Sequence, residues 1–298
     1  MSKLRYFLLG MMLMSGWAQA MNAVIWQPQA RDAQLGEAQW QALMVKLHQQ
    51  GFDTLVLQWT RYGEAFNDVQ QQQALFKRAL AARGAGLKLI VGLNSDPEFF
   101  TRQRQPQASL ERYLTRLGNQ DVFQADGWLK GIGAEAIDGW YMSAEIDDLN
   151  WRSPEMRAAL THWLTQTRQR LQRRGGKPVY ISSFFAGNMA PQSYQALMAD
   201  ISTTGVRVWV QDGAGVAKLS PAQRALYLDA SVSCETAGAA QGIVYELFSV
   251  LPGKTFRAQP MPDSAIRQQL ARTPPCGKDR VFFSLRYLPL AHGTLRHD

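Results

Sequence analysis

The sequence predicts an α/β fold, namely a single (β/α)8 TIM barrel. Eight short apolar runs alternate with stretches of helical periodicity along most of the 298 residues. The runs are continuously apolar instead of alternating with polar residues, which is typical of parallel strands covered on both faces. Barrels of this kind commonly need ~250 residues. One such domain therefore accounts for most of the chain.

The predicted strands are spaced so that a helix fits between each pair. In chain order they are Ala23–Gln27, Thr54–Trp59, Leu87–Leu93, Gly139–Ile146, Pro178–Phe184, Val206–Gln211, Gly242–Phe248 and Arg280–Arg286. Strand–helix alternation with right-handed crossovers gives a parallel sheet. An open doubly wound sheet should carry a glycine-rich phosphate turn after its first strand, whereas Gln27 is followed by Pro28 and Gln29. The number of strands then favours a closed barrel.

Helical signals occupy the intervening segments. The first is an apolar stripe at i, i+3, i+4 and i+7, formed by Trp40, Leu43, Met44 and Leu47. Ser153 and Ser220 each precede a proline, as capping residues do at the start of a helix. The third connection, residues 94–138, is longer than one helix requires. It predicts a loop followed by two helices that are broken near Gly118.

The first twenty residues have the pattern of a cleavable export signal. Lys3 and Arg5 precede the apolar stretch Tyr6–Trp17, and Ala18 and Ala20 form a small-x-small cleavage pattern. The stretch is interrupted and shorter than the ~20 apolar residues that span a bilayer. We therefore predict a signal peptide over residues 1–20, a barrel domain over residues 21–298, and a periplasmic or secreted protein without a membrane span once the signal is removed.

The charge balance says which partners to expect. The formal net charge is +8, and it is spread along the chain without a basic block, so nucleic acid is a poor partner and an anionic polymer a better one. Rim loops carry the cations Arg61, Arg102, Arg104, Lys254, Arg257 and Arg286. If they converge, they favour uronic acid, phosphate or sulfate groups on a substrate. Scattered surface charges are the alternative interpretation.

Several chemistries have no support in the sequence. The four histidines, His48, His162, His292 and His297, show no metal-ligand spacing. No Gly-x-Ser-x-Gly elbow is present. We therefore expect no metal, no acyl-enzyme and no cofactor.

The two cysteines each lie a few residues before a predicted strand. Cys234 precedes the seventh strand and Cys276 the eighth, so both belong to the N-terminal end of a barrel. Export would place them where disulfides persist, and we expect a structural bridge between them. Two free buried thiols are the alternative.

The C-terminal ends of the strands are where such barrels gather their reacting groups. Here they are polar or aromatic although the strands beneath are apolar. The candidates for substrate binding are Gln27, Trp59, Asn94, Tyr141, Phe184, Gln211, Asp212, Tyr245 and Arg286. Aromatic rings pack against the apolar faces of sugars, but they also fill protein cores. Asp212 precedes Gly213, so an ordinary turn is an equal interpretation, and some polar ends mark only where strands meet solvent.

Two glutamates stand out because they are embedded in apolar strands. Glu145 ends the fourth predicted strand, and Glu246 lies in the seventh. Desolvation raises the pKa of such a carboxyl, which suits a general acid. Glycoside hydrolysis needs two carboxylates facing each other, one to protonate the leaving oxygen and one to attack or to activate water. The alternative is that each glutamate pairs with an arginine such as Arg286 or Arg207.

These residues carry a resemblance. The segments 138–147 and 208–213, with Glu246 after them, resemble an uncharacterised bacterial (β/α)8-barrel family described as glycoside-hydrolase-like, and through it the retaining glycosidase clan with glutamates on strands four and seven. The resemblance implies that Glu145 is the acid/base and Glu246 the nucleophile. Ala144 departs from that clan, which usually has asparagine before the first glutamate.

A second, weaker resemblance leads to the same residue. Asp138 and Gly139 followed by Glu145 are similar in outline to the chitinase motif of strand four, although Tyr141 and Ser143 replace its aspartates. Both resemblances imply that Glu145 is the proton donor. We therefore predict an exported glycosidase acting on a bacterial polysaccharide or cell-envelope glycan. A glycan-binding barrel without turnover, in envelope or exopolysaccharide assembly, and a lyase or transferase using the same pair remain open.

Overall fold

The computed structural model describes residues 20–253 and 256–295 of the chain. Eight parallel strands close into a barrel in which each strand pairs with the next and the eighth pairs with the first. They are β1 (Asn22–Trp26), β2 (Thr54–Leu57), β3 (Lys88–Gly92), β4 (Gly139–Ile146), β5 (Val179–Ser183), β6 (Arg207–Gln211), β7 (Gly242–Glu246) and β8 (Asp279–Phe283). The predicted fold class is confirmed.

Helices cover the outside of the barrel. They are α1 (Glu37–Gln49), α2 (Val69–Gly84), α3 (Phe99–Arg102), α4 (Gln107–Ile132), α5 (Pro154–Gln172), α6 (Pro191–Thr203), α7 (Pro221–Ser231) and α8 (Asp263–Leu270). The predicted caps are present, since the hydroxyls of Ser153 and Ser220 accept hydrogen bonds from the third helical amide of α5 and α7. After β8 the described chain forms only two 3-10 turns, Leu285–Tyr287 and Pro289–Ala291.

The third connection corrects one prediction. Helix α4 runs unbroken through Gly118 for 26 residues, and the short α3 precedes it. A Cβ atom on Gly118 would lie 2.5 Å from the Thr167 hydroxyl of α5. Gly118 therefore allows two helices to pack closely, and it does not end a helix.

The core has two layers, as in other filled barrels. The inner one consists of inward-facing strand residues, among them Ile25, Val56, Tyr141, Trp209 and Val244. The outer layer lies between the strands and the helices. A residue's position along a strand therefore decides whether its side chain faces the barrel axis or the helices.

The N-terminal end of the barrel is tied together by local bonds. The Met21 amide donates to Asp279 Oδ1 at 3.1 Å, and the indole of Trp209 donates to Asp279 Oδ2 at 3.0 Å. Cys234 and Cys276 form a disulfide with a Cα–Cα distance of 5.8 Å, which confirms the predicted pairing. Both precede their strands, so the bridge lies at the end opposite to the strand termini where Glu145 and Glu246 stand.

The predicted signal sequence lies almost wholly outside the described residues. Within residues 20–253 and 256–295, no helix is long and apolar enough to cross a membrane. The proposed removal of residues 1–20 and the location outside the cytoplasm stay predictions.

Candidate active site

The C-terminal mouth of the barrel has a polar lining above an apolar core. Val244 faces inward, so alternation along β7 turns Tyr245 outward and Glu246 inward. By the same alternation Gln27, Gln58 and Gln211 face inward, two residues beyond Ile25, Val56 and Trp209. The uppermost inward residues therefore include amides and a carboxyl, and they lie directly above the inner core cluster.

A bulge in β4 sets the height of Glu145. Met142 pairs with Ile181, but the next pair is Glu145 with Ser182, so Ser143 and Ala144 are extra residues in this strand. A two-residue insertion preserves the inward direction of the side chain. It lowers Glu145 by about two residues' rise, roughly 6–7 Å, relative to a regular strand. Glu145 consequently stands level with Ser182 at the floor of the mouth.

Glu145 belongs to a hydrogen-bonded network across β4, β5 and β6. The Gln211 amide donates to the Glu145 carboxylate, and it lies 3.5 Å from the Ser182 hydroxyl. Ser182 in turn bonds to the Tyr141 hydroxyl at 2.8 Å. Desolvation by the surrounding protein raises the pKa of Glu145, and the bond from Gln211 opposes this rise. The side chain remains partly exposed, so it can reach a ligand.

Glu246 is more enclosed than Glu145. It is 3 % exposed, and its Oε2 accepts hydrogen bonds from the amides of Gly215 (2.6 Å) and Val216 (3.3 Å). Burial raises the pKa of Glu246 to about 8, the charge of Asp212 adds to the rise, and the two amides oppose it. The charge of Glu145 also contributes, which shows that the two glutamates interact electrostatically. Neither forms an ion pair with Arg286 or Arg207.

Asp212 holds the loop that supports Glu246. Its Oδ1 accepts from the amides of Ala214 (3.1 Å) and Glu246 (3.2 Å), and its Oδ2 accepts from Arg272 (3.2 Å). The side chain is almost fully buried on the outer face of the barrel. These bonds favour the turn interpretation, because the buried, outward-facing side chain of Asp212 is not placed to contact a ligand at the mouth.

Two further predicted binding residues also lie on the outer side of the barrel wall. The Tyr245 ring stacks on Phe282 at 5.5 Å with the Arg272 guanidinium 5.0 Å from its centre. The Asn94 amide donates to Gln120 of α4 at 3.3 Å. Neither side chain is placed at the mouth, because both make contacts on the helix side of the wall, so this geometry does not support a role in ligand binding for them.

Arg286 and Tyr141 are buried beneath the mouth. Arg286 lies in a 3-10 turn after β8, and its guanidinium bonds both carboxylate oxygens of Asp32, at 2.9 and 2.7 Å. Each partner of this ion pair is 3 % exposed, so Arg286 is not an open anion-binding group. Tyr141 is 1 % exposed and bonds to Ser182, and burial together with the charge of Glu145 raises the pKa of its hydroxyl.

Four of the predicted binding residues remain partly exposed at the mouth: Gln27, Trp59, Phe184 and Gln211. Gln27 donates to Gln58 at 2.9 Å and accepts from Gln29 at 3.1 Å. Trp59 lies 4.7 Å from the Tyr62 ring, and Phe184 lies 6.0 Å from the Phe100 ring. These contacts leave amide groups and ring edges available for a ligand, and ligand binding stays a prediction for all four.

The remaining rim carboxylates are structural. Asp147 accepts hydrogen bonds from Gln103 (2.7 Å) and Asn150 (2.6 Å), and Asp148 accepts from Asn188 (2.8 Å). Among residues 20–253 and 256–295, no cluster of His, Cys, Asp and Glu could hold a metal ion. The rim cation Lys254 lies outside the described residues, as does His297.

Sequence reasoning missed Phe283. This residue pairs with Glu246 in the ladder between β7 and β8, and it packs on the inner core cluster while remaining partly exposed. It therefore forms an apolar wall next to the Glu246 carboxyl. Its position two residues beyond the inward-facing Val281 is the signal that could have identified it.

Comparison with known proteins places the chain in a family. A family model described as a domain of unknown function, DUF4434, matches residues 21–293. The chain belongs to the DUF4434 family. It is 55% identical over 297 residues to "Uncharacterized protein YbcH" of Escherichia coli (strain K12), and the match covers 100% of both chains.

One solved structure shows how widely the fold is shared. A crystal structure of a putative alpha-L-fucosidase from Bacteroides thetaiotaomicron VPI-5482 is similar at a TM-score of 0.61, with 14% sequence identity, over 95% of this chain and 91% of that one. At this identity the likeness concerns the barrel fold. The chemistry has to be argued from the residues at the mouth.

Proposed function

We propose that the protein is a glycoside hydrolase that acts on a bacterial polysaccharide or cell-envelope glycan through Glu145 and Glu246. The observation that carries the proposal is the pair of inward-facing, desolvated carboxyls at the ends of β4 and β7, neither of which forms an ion pair with an arginine among residues 20–253 and 256–295. A buried carboxyl that lacks a counter-ion costs stability. Two of them at one mouth are explained by a reaction that needs both.

The two environments suggest different roles. Glu145 is partly exposed and receives one amide bond, so it can turn toward a glycosidic oxygen and protonate it. Glu246 is fixed through one oxygen by two backbone amides, which leaves its other oxygen to attack the anomeric carbon. This division corresponds to retaining hydrolysis, for which the carboxyls stand about 5–5.5 Å apart during the reaction.

The setting of the enzyme is part of the proposal. The signal-like residues 1–20 and the disulfide Cys234–Cys276 support export to the periplasm or beyond, because disulfides persist in oxidising compartments. The substrate would then be a carbohydrate of the envelope or of its surroundings, and the positive net charge favours an anionic one. Nucleic acid does not fit this setting.

Substitution of the two glutamates tests the proposal. Release of reducing ends is measured from a panel of bacterial glycans with the wild type, Glu145→Gln and Glu246→Gln. Each substitution should lower kcat at least about 10²-fold, since general acid–base catalysis alone contributes about 10²–10⁴-fold. Glu235→Gln is the matched control, because Glu235 is exposed and next to Cys234 at the opposite end of the barrel. Wild-type rates in both site variants would refute the proposal.

The enclosure of Glu246 favours a second candidate, a barrel that binds glycan without turnover. A carboxyl that is 3 % exposed and bonded to two amides also serves as a structural anchor for the 213–216 loop. If wild type and Glu145→Gln bind a glycan equally and neither releases reducing ends, this candidate is correct. Loss of hydrolysis with retained binding in Glu145→Gln supports the enzyme instead.

A further inference from the structure

The mouth continues beside Glu246 into a small pocket. Its volume is about 70 Å³, and its walls include Phe184, Phe185, Ala186, Leu219, Gln211 and Glu246. At roughly 10–15 Å³ for each water-sized group, this space holds about five heavy atoms. The pocket is therefore too small for a second sugar ring, and it is large enough for a substituent on a ring that lies at the mouth.

The walls of the pocket have two chemical characters. Phenylalanine, alanine, valine and leucine residues supply the apolar part of the lining, and Gln211, Glu246, Lys218 and Arg224 supply the polar part. A matching group has an apolar end together with hydrogen-bonding atoms. A hydroxyl lacks the apolar end, and a lone methyl group would leave the polar wall without a partner.

The pocket is held in shape by its surroundings. Phe185 stacks on Tyr227 at 4.5 Å, and the Tyr227 hydroxyl donates to the backbone oxygen of Met189. On the polar side, Gly215 and Val216 fix one oxygen of Glu246. Walls that are already ordered add little entropic cost to binding, so the pocket is pre-organised for its occupant.

Both cations and a carboxyl line the pocket. Lys218 and Arg224 belong to its walls together with Glu246. Arg224 donates to the backbone oxygen of Gly213 at 3.0 Å, and Lys218 is exposed. A neutral occupant with hydrogen-bonding atoms needs no counter-ion from these walls, and a comparison with galacturonic acid tests the anionic alternative.

We propose that this pocket holds the acetamido group of a 2-acetamido sugar. The acetamido methyl would pack against the phenylalanine and leucine walls, and its amide would bond with Gln211 and Glu246. The inference rests on the proposed function in that it places a sugar ring at the mouth. It names the substrate class of that same site, an N-acetylated amino sugar.

The test measures the binding of monosaccharides, which are not hydrolysed. Saturation-transfer NMR compares N-acetylglucosamine and N-acetylgalactosamine with glucose and galactose on the wild-type chain. The acetylated sugars should bind about tenfold more tightly or better, as expected for a filled small pocket. Their acetyl methyl protons should receive the strongest saturation. Equal binding of acetylated and plain sugars, or weak saturation of the methyl protons, would overturn the inference.

A pocket-filling variant sharpens the result. Ala186→Leu adds three heavy atoms to the pocket and should remove the preference for the acetylated sugars. Ala225→Leu is the matched control, because Ala225 is exposed on α7 and does not line the pocket. It should keep the preference, and a loss in both variants would contradict the assignment.

Two other sugars identify a different occupant. Tighter binding of galacturonic acid would assign the pocket to a carboxylate, and tighter binding of fucose would assign it to a methyl group; either result overturns the inference. Failure of the proposed function is distinguishable from these outcomes. Acetamido preference without glycan hydrolysis refutes only the reaction, whereas hydrolysis without acetamido preference refutes only the pocket assignment.

Discussion

Glu145 and Glu246 both lie at the mouth of the barrel, but hydrogen bonds restrain the two carboxyls to different extents. Glu246 is anchored by two amides and Glu145 by one side-chain amide, while burial raises the pKa of both. The charge of Glu145 makes the smallest of the contributions to the raised pKa of Glu246. The proposed reaction needs one protonated and one ionised carboxyl, so its pH dependence reports on this pair.

The first prediction concerns that pH dependence. Glu246 must be ionised to attack, and its pKa is raised to about 8 in the free protein. We expect kcat/KM to rise with pH until about pH 8, because kcat/KM reports the ionisation of the free enzyme. Steady-state kinetics between pH 4 and pH 10 measure this. An acidic limb centred near pH 4–5, the ordinary range of carboxyls, would contradict the role of Glu246.

The second prediction concerns Gln211, which we interpret as a positioning residue for Glu145. Its amide stabilises the ionised form of the carboxyl, so Gln211→Leu should raise the pKa of Glu145 further. The alkaline limb of kcat/KM, where the general acid loses its proton, should move to higher pH. Gln169→Leu on the exposed face of α5 serves as the control. A lower rate with an unmoved limb would indicate a purely structural role.

The sequence could indicate which strand ends line the mouth, because a polar residue that ends an apolar strand is conspicuous. Glu145, Gln211 and Glu246 face the mouth as this pattern implies, and their roles stay predictions. Tyr245 and Asp212 were misplaced because one residue along a strand reverses the side chain. The inward direction follows only from knowing which residues fill the inner core.

Among the secondary-structure elements, the strands could be predicted from the sequence. The bulge in β4 and the close packing at Gly118 could not. Continuous apolar runs identified all eight barrel strands, although several predicted ends extend past the observed ones. The bulge in β4 has no signal in the sequence, because Ser143 and Ala144 suit a regular strand equally well. Gly118 was read as a helix break since glycine is a poor helix former, but close packing against α5 outweighs that preference.

The third prediction concerns the disulfide that precedes β7 and β8. It closes a segment with a sequence separation of 42, for which loss of unfolded-state entropy implies a stabilisation of about 4 kcal/mol. The double variant Cys234→Ser/Cys276→Ser should lose up to this amount in urea unfolding and keep the kcat of the wild type. A reducing agent should destabilise the wild type and leave the double variant unchanged. A fall in kcat of the folded variant would show that the bridge influences the mouth.

At the scale of the whole molecule, buried carboxyls make stability depend on pH. Burial raises the pKa of Asp121 and of Glu246 to about 8, and it raises the pKa of Asp212 and Asp279 as well. Such groups bind protons more tightly in the folded than in the unfolded chain. Their contribution is fully present below the ordinary carboxyl pKa and is lost as the pH rises through the folded-state values.

The fourth prediction follows from this sign. The free energy of unfolding should fall between pH 5 and pH 8.5, by on the order of 2–4 kcal/mol for a single buried carboxyl. Asp121→Asn should flatten part of the fall, because the neutral amide can still accept the hydrogen bond from the Asn94 backbone. Asp229→Asn, on the exposed face of α7, is the control. Urea titrations at several pH values check this, and an unaltered slope in Asp121→Asn would contradict it.

The global architecture was predictable because repetition averages out local errors. Eight strands with helical segments between them specify a closed barrel even when individual boundaries are misplaced by a few residues. The departure is the last unit, where 3-10 turns replace a helix after β8. The sequence could not predict this difference, because the described segment after β8 is too short to show or to lack a helical period.

The pairing of β8 with β1 also determines the order in which the barrel can close during synthesis. Asn22–Ile25 pairs with Arg280–Phe283, so one edge of the sheet stays open until residues 280–283 have been synthesised. Cys276 arrives just before that last strand and its partner Cys234 some forty residues earlier. The disulfide can therefore form only once Cys276 has emerged, shortly before β8 completes the barrel. A ribosome-stalled or truncated product ending before β8 would present a bare edge strand, and it would be the species that quality-control proteases and chaperones recognise.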